Sequence, residues 1–197
     1  MIRLACPADI PRLVEIHRSA LPDDFLPRLG GRFLSRVFFP NALQSNQAFT
    51  LLFEGGGQAQ AFVIFATNSR SFTCELKRAR LAVAVSLIRN LWRDPLLWLD
   101  AARLTRGSQI QLTAPVERFF ERPELYLIAV DPACQGRGMG SALVREGLRM
   151  LRDAHTYCVV RTSSARARSF YRALDFRDLG TELRGQRRLF VLGCTLQ

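Results

Sequence analysis

Metal and disulfide chemistry have little to draw on in this sequence. It has two histidines, His17 and His155, and five cysteines, Cys6, Cys74, Cys134, Cys158 and Cys194, an odd number with no two spaced as CxxC. That disfavours a dedicated metal site and a disulfide framework, and reads as reduced thiols in a cytoplasmic protein. A membrane-spanning helix is excluded as well. Arg89, Arg93 and Asp94 interrupt the most apolar stretch before it reaches about 20 residues, and the opening MIRLACPADIPRL lacks the apolar core of a signal peptide. Lysine is scarce, so the net charge of +11 is carried almost wholly by arginine. Such a balance suits anionic partners: nucleic acid, a membrane surface or a polyanionic ligand. The arginines are spread along the chain, with no basic tract interleaved with aromatics, so nucleic acid is disfavoured. A membrane-surface contact and a homodimer stay open.

What is present begins with length: 197 residues suit one domain, or one domain with an insertion, able to bury roughly 70 % of its unfolded surface without staples. The chain is organised around ELYLIAVDPACQGRGMGSALVREGLRMLR, residues 124–152. Leu125 to Val130 is an almost unbroken apolar run, as in a strand buried on both faces, with Glu124, Tyr126 and Ile128 on one side. Asp131-Pro132 stops it. Beyond the glycines, Leu143, Val144, Gly147, Leu148, Met150 and Leu151 recur at helical spacing, with Arg145, Glu146, Arg149 and Arg152 outward.

The loop between strand and helix, Gln135-Gly136-Arg137-Gly138-Met139-Gly140, is short of β-carbons. Glycines let the backbone turn sharply and let a ligand approach it. The first amides of the next helix lack carbonyl partners and face the loop, together with the positive end of the helix dipole. An anion of pyrophosphate shape is the natural occupant, the alternative being a glycine-rich turn with no ligand. No GxxxxGK[ST] or GxGxxG pattern occurs, which disfavours a P-loop or a dinucleotide fingerprint.

Elsewhere, Ile2–Ala5 reads as a strand, followed by a helix over residues 10–20 with Asp9 as its N-cap and Arg12, Glu15 and Arg18 outward. A second helix starts at Pro22-Asp23 and runs to about Phe39, weakened at Gly30-Gly31. Its aromatics, Phe25 among them, belong to the core or to the wall of a substrate pocket. Ala48–Glu54 and Gln58–Thr67 form a hairpin about Gly55-Gly56-Gly57. Residues 69–120 read as a helical insertion, with amphipathic stretches at 81–92 and 95–106 that serve as packing, lid, dimer contact or lipid-facing surface. Tyr157–Arg161 is a strand, Arg166–Leu174 a helix capped by Ser163 or Ser164, and residues 176–192 a final hairpin.

Gln135, Gly138 and Gly140 fit the pattern QxxGxG, which resembles the acyl-CoA pyrophosphate loop of the GNAT N-acetyltransferase superfamily. The run from Ser164 to Phe176 is similar to that family's second signature, NxxAxxFYxxxGF. Ala167, Phe170, Tyr171 and Phe176 agree, while Ser164 stands for asparagine and Asp175 for glycine. The resemblance implies an α/β (α+β) fold: a mixed, mostly antiparallel sheet of six to seven strands flanked by helices. Two neighbouring parallel strands, Glu124–Val130 and Tyr157–Arg161, would splay to admit acetyl-CoA.

The implied donor site comprises Ile128, Ala129 and Val130, Val130 polarising the thioester carbonyl. Gln135, Gly136, Arg137, Gly138, Met139, Gly140 and Ser141 would surround the pyrophosphate, and Ser164, Ala167 and Tyr171 would flank the pantetheine arm. The implied reaction is direct attack by a primary amine of a small molecule or protein, with no metal. An alkylamine of pKa about 10.4 is neutral in only about one molecule in a thousand near pH 7.4, a penalty of about 4 kcal/mol. A carboxylate near the acceptor would help. Glu124 is placed as that general base or is a solvated strand-end residue, and Tyr126 shares its face as an acceptor contact. Tyr171 would protonate the departing thiolate. The alternative to an enzyme is a non-catalytic module that holds acyl-CoA or nucleic acid, supported by the departures at Ser164 and Asp175.

Overall fold

The computed structural model describes residues 1–22, 30–76, 78, 109–112, 121–184 and 187–196, with backbone alone for 109–112, 184 and 187. Its strands are β1 (Ile2–Leu4), β2 (Ala48–Gly55), β3 (Gln58–Ala66), β4 (Gln109–Leu112), β5 (Glu124–Val130), β6 (Tyr157–Thr162), β7 (Arg177–Arg184) and β8 (Arg187–Thr195). They form one sheet in the order β1-β2-β3-β5-β6-β8-β7-β4. Every neighbouring pair is antiparallel except β5 and β6. The sheet is mixed, mostly antiparallel and flanked by helices, with eight strands among the described residues. The strand absent from the sequence reading is β4, inside the segment read as helical. It lines the outer edge of β7 and satisfies backbone groups that an edge strand leaves open.

The helices are α1 (Ile10–Ala20), α2 (residues 31–44), α3 (residues 69–76), α4 (Met139–Leu151) and α5 (Ala165–Arg172). The expected N-cap of α1 is corrected. Asp9 already has helical dihedrals and makes no side-chain cap. Its carboxylate instead accepts from the Cys6 amide at 2.8 Å and from both terminal nitrogens of Arg3, so the helical run begins at Cys6 with a 3₁₀ turn, Pro7–Asp9.

In α2, Gly30 is the N-cap at φ +91°. The helix passes Phe39 and Pro40 to reach Gln44, because Leu34–Phe38 is a π-helical turn. The extra residue relaxes the clash between a proline ring and the preceding turn. Residues 23–29, which include Phe25 and the expected start of this helix, lie outside the described residues, as do the stretches 81–92 and 95–106.

The β2–β3 hairpin turns on Gly56 and Gly57 at φ +61° and +77°, the pair of positive dihedrals that a two-residue type I′ loop requires. Two large apolar clusters cover the sheet, beside a small one at Val159 and Val191. Against one face, Leu13 and Ile16 of α1 and Phe38 and Phe39 of α2 pack on Phe62, Leu127 and Ala129. Against the other, Leu143 and Val144 of α4 and Tyr171 of α5 pack on Phe65, Leu125, Val160 and Leu192. Met150, expected on the buried side of α4, is 38 % exposed.

One irregularity positions everything that follows. Ile64 pairs with Leu127 but Phe65 pairs with Leu125, so Tyr126 is an extra residue in β5. A bulge of this kind bends its strand and interrupts side-chain alternation. Ile128 and Val130 consequently join Leu125 on the α4 face, while Tyr126, Leu127 and Ala129 meet the α1 face. Glu124 and Ile128 therefore do not share a face, contrary to simple alternation.

Candidate active site

The parallel ladder between β5 and β6 is two pairs long, Glu124↔Val159 and Leu125↔Val160. Past the bulge, β5 continues to Val130 along β3 and β6 to Thr162 along β8, without pairing to each other. Strands that are parallel neighbours and then separate leave an open wedge whose walls carry unpaired backbone groups, suited to an extended ligand with amides of its own. The wedge opens toward the glycine loop.

Asp131 ends β5 and accepts from the Ala133 amide at 3.0 Å, starting a 3₁₀ turn over Pro132–Cys134. Gly136 (φ +78°) and Gly138 (φ +77°) then take left-handed dihedrals, with Gly138 as the N-cap of α4. Residues with a β-carbon adopt these values only at a cost. Gln135 Nε2 donates to the Val130 carbonyl at 3.3 Å, and Arg137 Nη2 to the Ala133 carbonyl at 3.3 Å. The loop is exposed, Met139 and Gly140 are buried, and Ser141 is half-buried. Loop amides and a helix N-terminus thus face solvent where an anion would sit.

The second motif folds onto the same place. Ser164, and not Ser163, caps α5 by accepting from the Ala167 amide at 3.2 Å. A methyl group added at Gly140 would lie 3.5 Å from both Phe170 Cζ and Val130 Cγ2, so the loop, the end of β5 and the Phe170-Tyr171 pair converge. Tyr171 is 4 % exposed, with its ring 5.2 Å from Phe170 and 5.6 Å from Phe176. Burial pushes its phenol well above the usual tyrosine range, so it carries its proton at neutral pH. Asp175 takes φ +66°, the only positive φ at a non-glycine residue among those described. The backbone that the family glycine would supply is therefore kept, as is the cap at Ser164, and neither departure disrupts the local geometry.

Glu124 is not a solvated strand-end residue: it is 4 % exposed. Arg161, one residue past the last β6 partner of β5, donates from Nε to Glu124 Oε1 at 2.8 Å and from Nη2 to Oε2. Ser69 of α3 also donates to Oε2. Arg161 Nη1 reaches Glu182 Oε2 on β7 at 3.1 Å, and Glu182 is fully buried. The two carboxylates hold Arg161 charged despite the cost of its burial.

Beside this cluster, Tyr126 is half-buried, with its ring 4.9 Å from Phe72 of α3 and 6.5 Å from Phe38. Arg161, Glu182, Ser69 and Phe72 were missed by motif reading. The available signal was Arg161 itself, a charge inside the apolar strand Cys158-Val159-Val160. No group of three or more potential metal ligands occurs among the described residues, and none of their helices is long and apolar enough to cross a membrane.

Known proteins similar to this chain share one family description. Residues 106–178 match the family model of an acetyltransferase (GNAT) domain. The chain is 32 % identical to a mycothiol acetyltransferase of Beutenbergia cavernae over 62 % of this chain and 43 % of that protein. It is 42 % identical to the N-alpha-acetyltransferase RimI of Mycobacterium tuberculosis over 39 % of this chain and 46 % of that protein. The chain thus matches less than half the length of these relatives. Among solved structures, a ribosomal-protein-alanine N-acetyltransferase of Brucella melitensis superposes with a TM-score of 0.61 at 17 % identity, covering 100 % of this chain and 99 % of that one, a likeness of fold.

Proposed function

Because the chain belongs to the GNAT acetyltransferase superfamily, we propose that it transfers an acetyl group from acetyl-CoA to a primary amine, which attacks the thioester directly. The observation that supports this most is the wedge between β5 and β6, with the glycine loop at its mouth and Phe170, next to Tyr171, against Gly140 and the end of β5. In this reading the amides from Gly136 to Ser141, with Gln135 and Arg137 alongside, hold the pyrophosphate. Ser164 and Ala167 flank the pantetheine arm, while Ile128, Ala129 and Val130 line the wedge with their backbone, Val130 at the thioester carbonyl. The donor supplies the activated acyl group. This chain's residues orient it and stabilise charge as the tetrahedral centre forms and collapses.

Tyr171, the tyrosine of the Phe-Tyr motif on α5, is proposed as the proton donor to the departing thiolate. Glu124 is proposed to act on the acceptor amine. Its Oε2 accepts from both Arg161 and Ser69 while, among the described residues, Oε1 accepts from Arg161 Nε alone, so Oε1 keeps a lone pair for the acceptor. Tyr126 and Phe72 would contact the acceptor's apolar part, with Phe25 in the same role. The names of the relatives point to two acceptor classes, a mycothiol-type small molecule and a protein α-amine. A cytoplasmic setting suits both.

The test is a thermal-shift titration with acetyl-CoA beside ATP, followed by release of free CoA thiol with amines of each class. A saturable shift for acetyl-CoA alone, with amine-dependent thiol release, is expected. No shift at millimolar acetyl-CoA would overturn the proposal. Tyr171→Phe should lower kcat about 100-fold, the usual scale of a lost general acid, with acetyl-CoA affinity within about threefold of wild type. Undiminished turnover would remove Tyr171 from its role.

A further inference from the structure

Arg12 reads from sequence as an outward residue of α1, yet it is bound into the base of the glycine loop. Its Nε donates to the Ala59 carbonyl on β3 at 3.0 Å, its Nη2 to Asp131 Oδ2, and its Nη1 to Glu15 Oε2 at 3.1 Å. Glu15 is 67 % exposed, so that last pair contributes little. The other two are sheltered: the Asp131 side chain is 18 % exposed and that of Arg12 31 %.

The second oxygen of Asp131 accepts from the Ala133 amide at 3.0 Å, and the Asp131 amide donates to the Gln60 carbonyl at 2.8 Å. One carboxylate therefore receives α1 on one oxygen and caps the turn leading into Gln135–Gly140 on the other. Beyond that turn the loop holds itself by few contacts. The amide of Ala133, then Arg12, keeps the Asp131 carboxyl below its usual range, so it is an anion at neutral pH.

We propose that Arg12 is a positioning residue for the glycine loop: it fixes Asp131 against β3, aims the amides from Gly136 to Ser141, and cancels an anion that would oppose a pyrophosphate. This rests on the acetyl-CoA reading above. Two physical effects act in the same direction. A loop already held in its bound geometry loses less freedom when ligand arrives. A carboxylate without its guanidinium beside an anion site repels the ligand.

The experiment is calorimetric titration of the full chain with acetyl-CoA, together with steady-state kinetics, for wild type, Arg12→Ala, Arg12→Lys, Asp131→Asn and the Arg12→Ala/Asp131→Asn pair. Arg12→Ala should weaken acetyl-CoA binding about tenfold and raise its KM in step, with kcat at saturation within about twofold. Arg12→Lys should recover part of the loss. Asp131→Asn retains an acceptor for the Ala133 amide and removes the charge, so the double variant should bind no worse than Arg12→Ala, the sign of coupled residues. Unchanged affinity in Arg12→Ala, or losses that simply add in the double variant, would overturn the inference. So would a lowered Tm with affinity intact, the mark of a purely structural residue. Should Arg12→Ala not fold, Arg12→Lys and Asp131→Asn decide by the same readout. Failure of the wild type to bind acetyl-CoA would instead overturn the function proposed for the cleft.

Discussion

Asp175 shows how much a single position reveals. By resemblance a glycine is expected there, and an aspartate in its place must carry whatever backbone that glycine would have supplied. The aspartate takes φ +66°. Left-handed backbone costs an L-residue about 1 kcal/mol or more, less for aspartate, while a glycine loses more freedom on folding. Asp175→Gly should therefore stabilise the protein by about 0.5 kcal/mol, seen as a higher urea midpoint with an unchanged slope. A lower midpoint would mean that the side chain makes a compensating contact. Glu124 teaches the reverse. Its position at the head of β5 was legible, but its surroundings were not, because Ser69, Arg161 and Glu182 come from distant parts of the chain.

Among the elements, α4 was the easiest to read and β5 the easiest to misread. The helix announces itself through period and glycine start, yet its close approach to the sheet depends on Gly147. A β-carbon there would lie 2.0 Å from Phe65 Cε2, a distance no contact tolerates. Gly147→Ala should cost about 3 kcal/mol, the upper range for overpacking a core, measured as a fall in Tm. A smaller side chain at Phe65 should recover part of it, and an unchanged Tm would show that α4 can shift freely. In β5 the bulge at Tyr126 leaves no local signal: every residue from Leu125 to Val130 is apolar, so nothing in the run marks where alternation slips. The slip follows from pairing with β3.

For the whole molecule, the net charge of +11 coexists with carboxylates held by arginine. The Arg3 guanidinium holds the Asp9 carboxyl down to about 2. Arg168, with Arg172, likewise lowers Asp178, and Asp131 is lowered by the Ala133 amide and Arg12. Each folded-state value lies below its unfolded one. Their contribution is complete above the ordinary carboxylate range, near pH 4, and is lost as pH falls through the folded values. Rising positive charge acts in the same direction. The urea midpoint should be highest near neutral pH and decline a little below about pH 6.5, where burial and Arg122 oppose protonation of His155 in the folded chain. It should then fall progressively between about pH 4 and 2. A midpoint that held to pH 2 would show that these pairs contribute nothing.

The sequence by itself determined the family, the order of elements outside residues 69–120 and the two motifs that meet at the cleft. Those signals are local: glycines where the backbone must turn left-handed, a period that changes from strand to helix, and a Phe-Tyr pair on a short capped helix. Only the tertiary structure decided that β5 bulges at Tyr126, that β4 borders β7, that Glu124 lies in a buried ionic cluster and that Arg12 braces the loop. These features depend on which strand pairs with which and on long side chains reaching across the fold. A guanidinium that closes on a carboxylate 119 residues away leaves no pattern along the chain, because what brings the two together is the folding of everything between them.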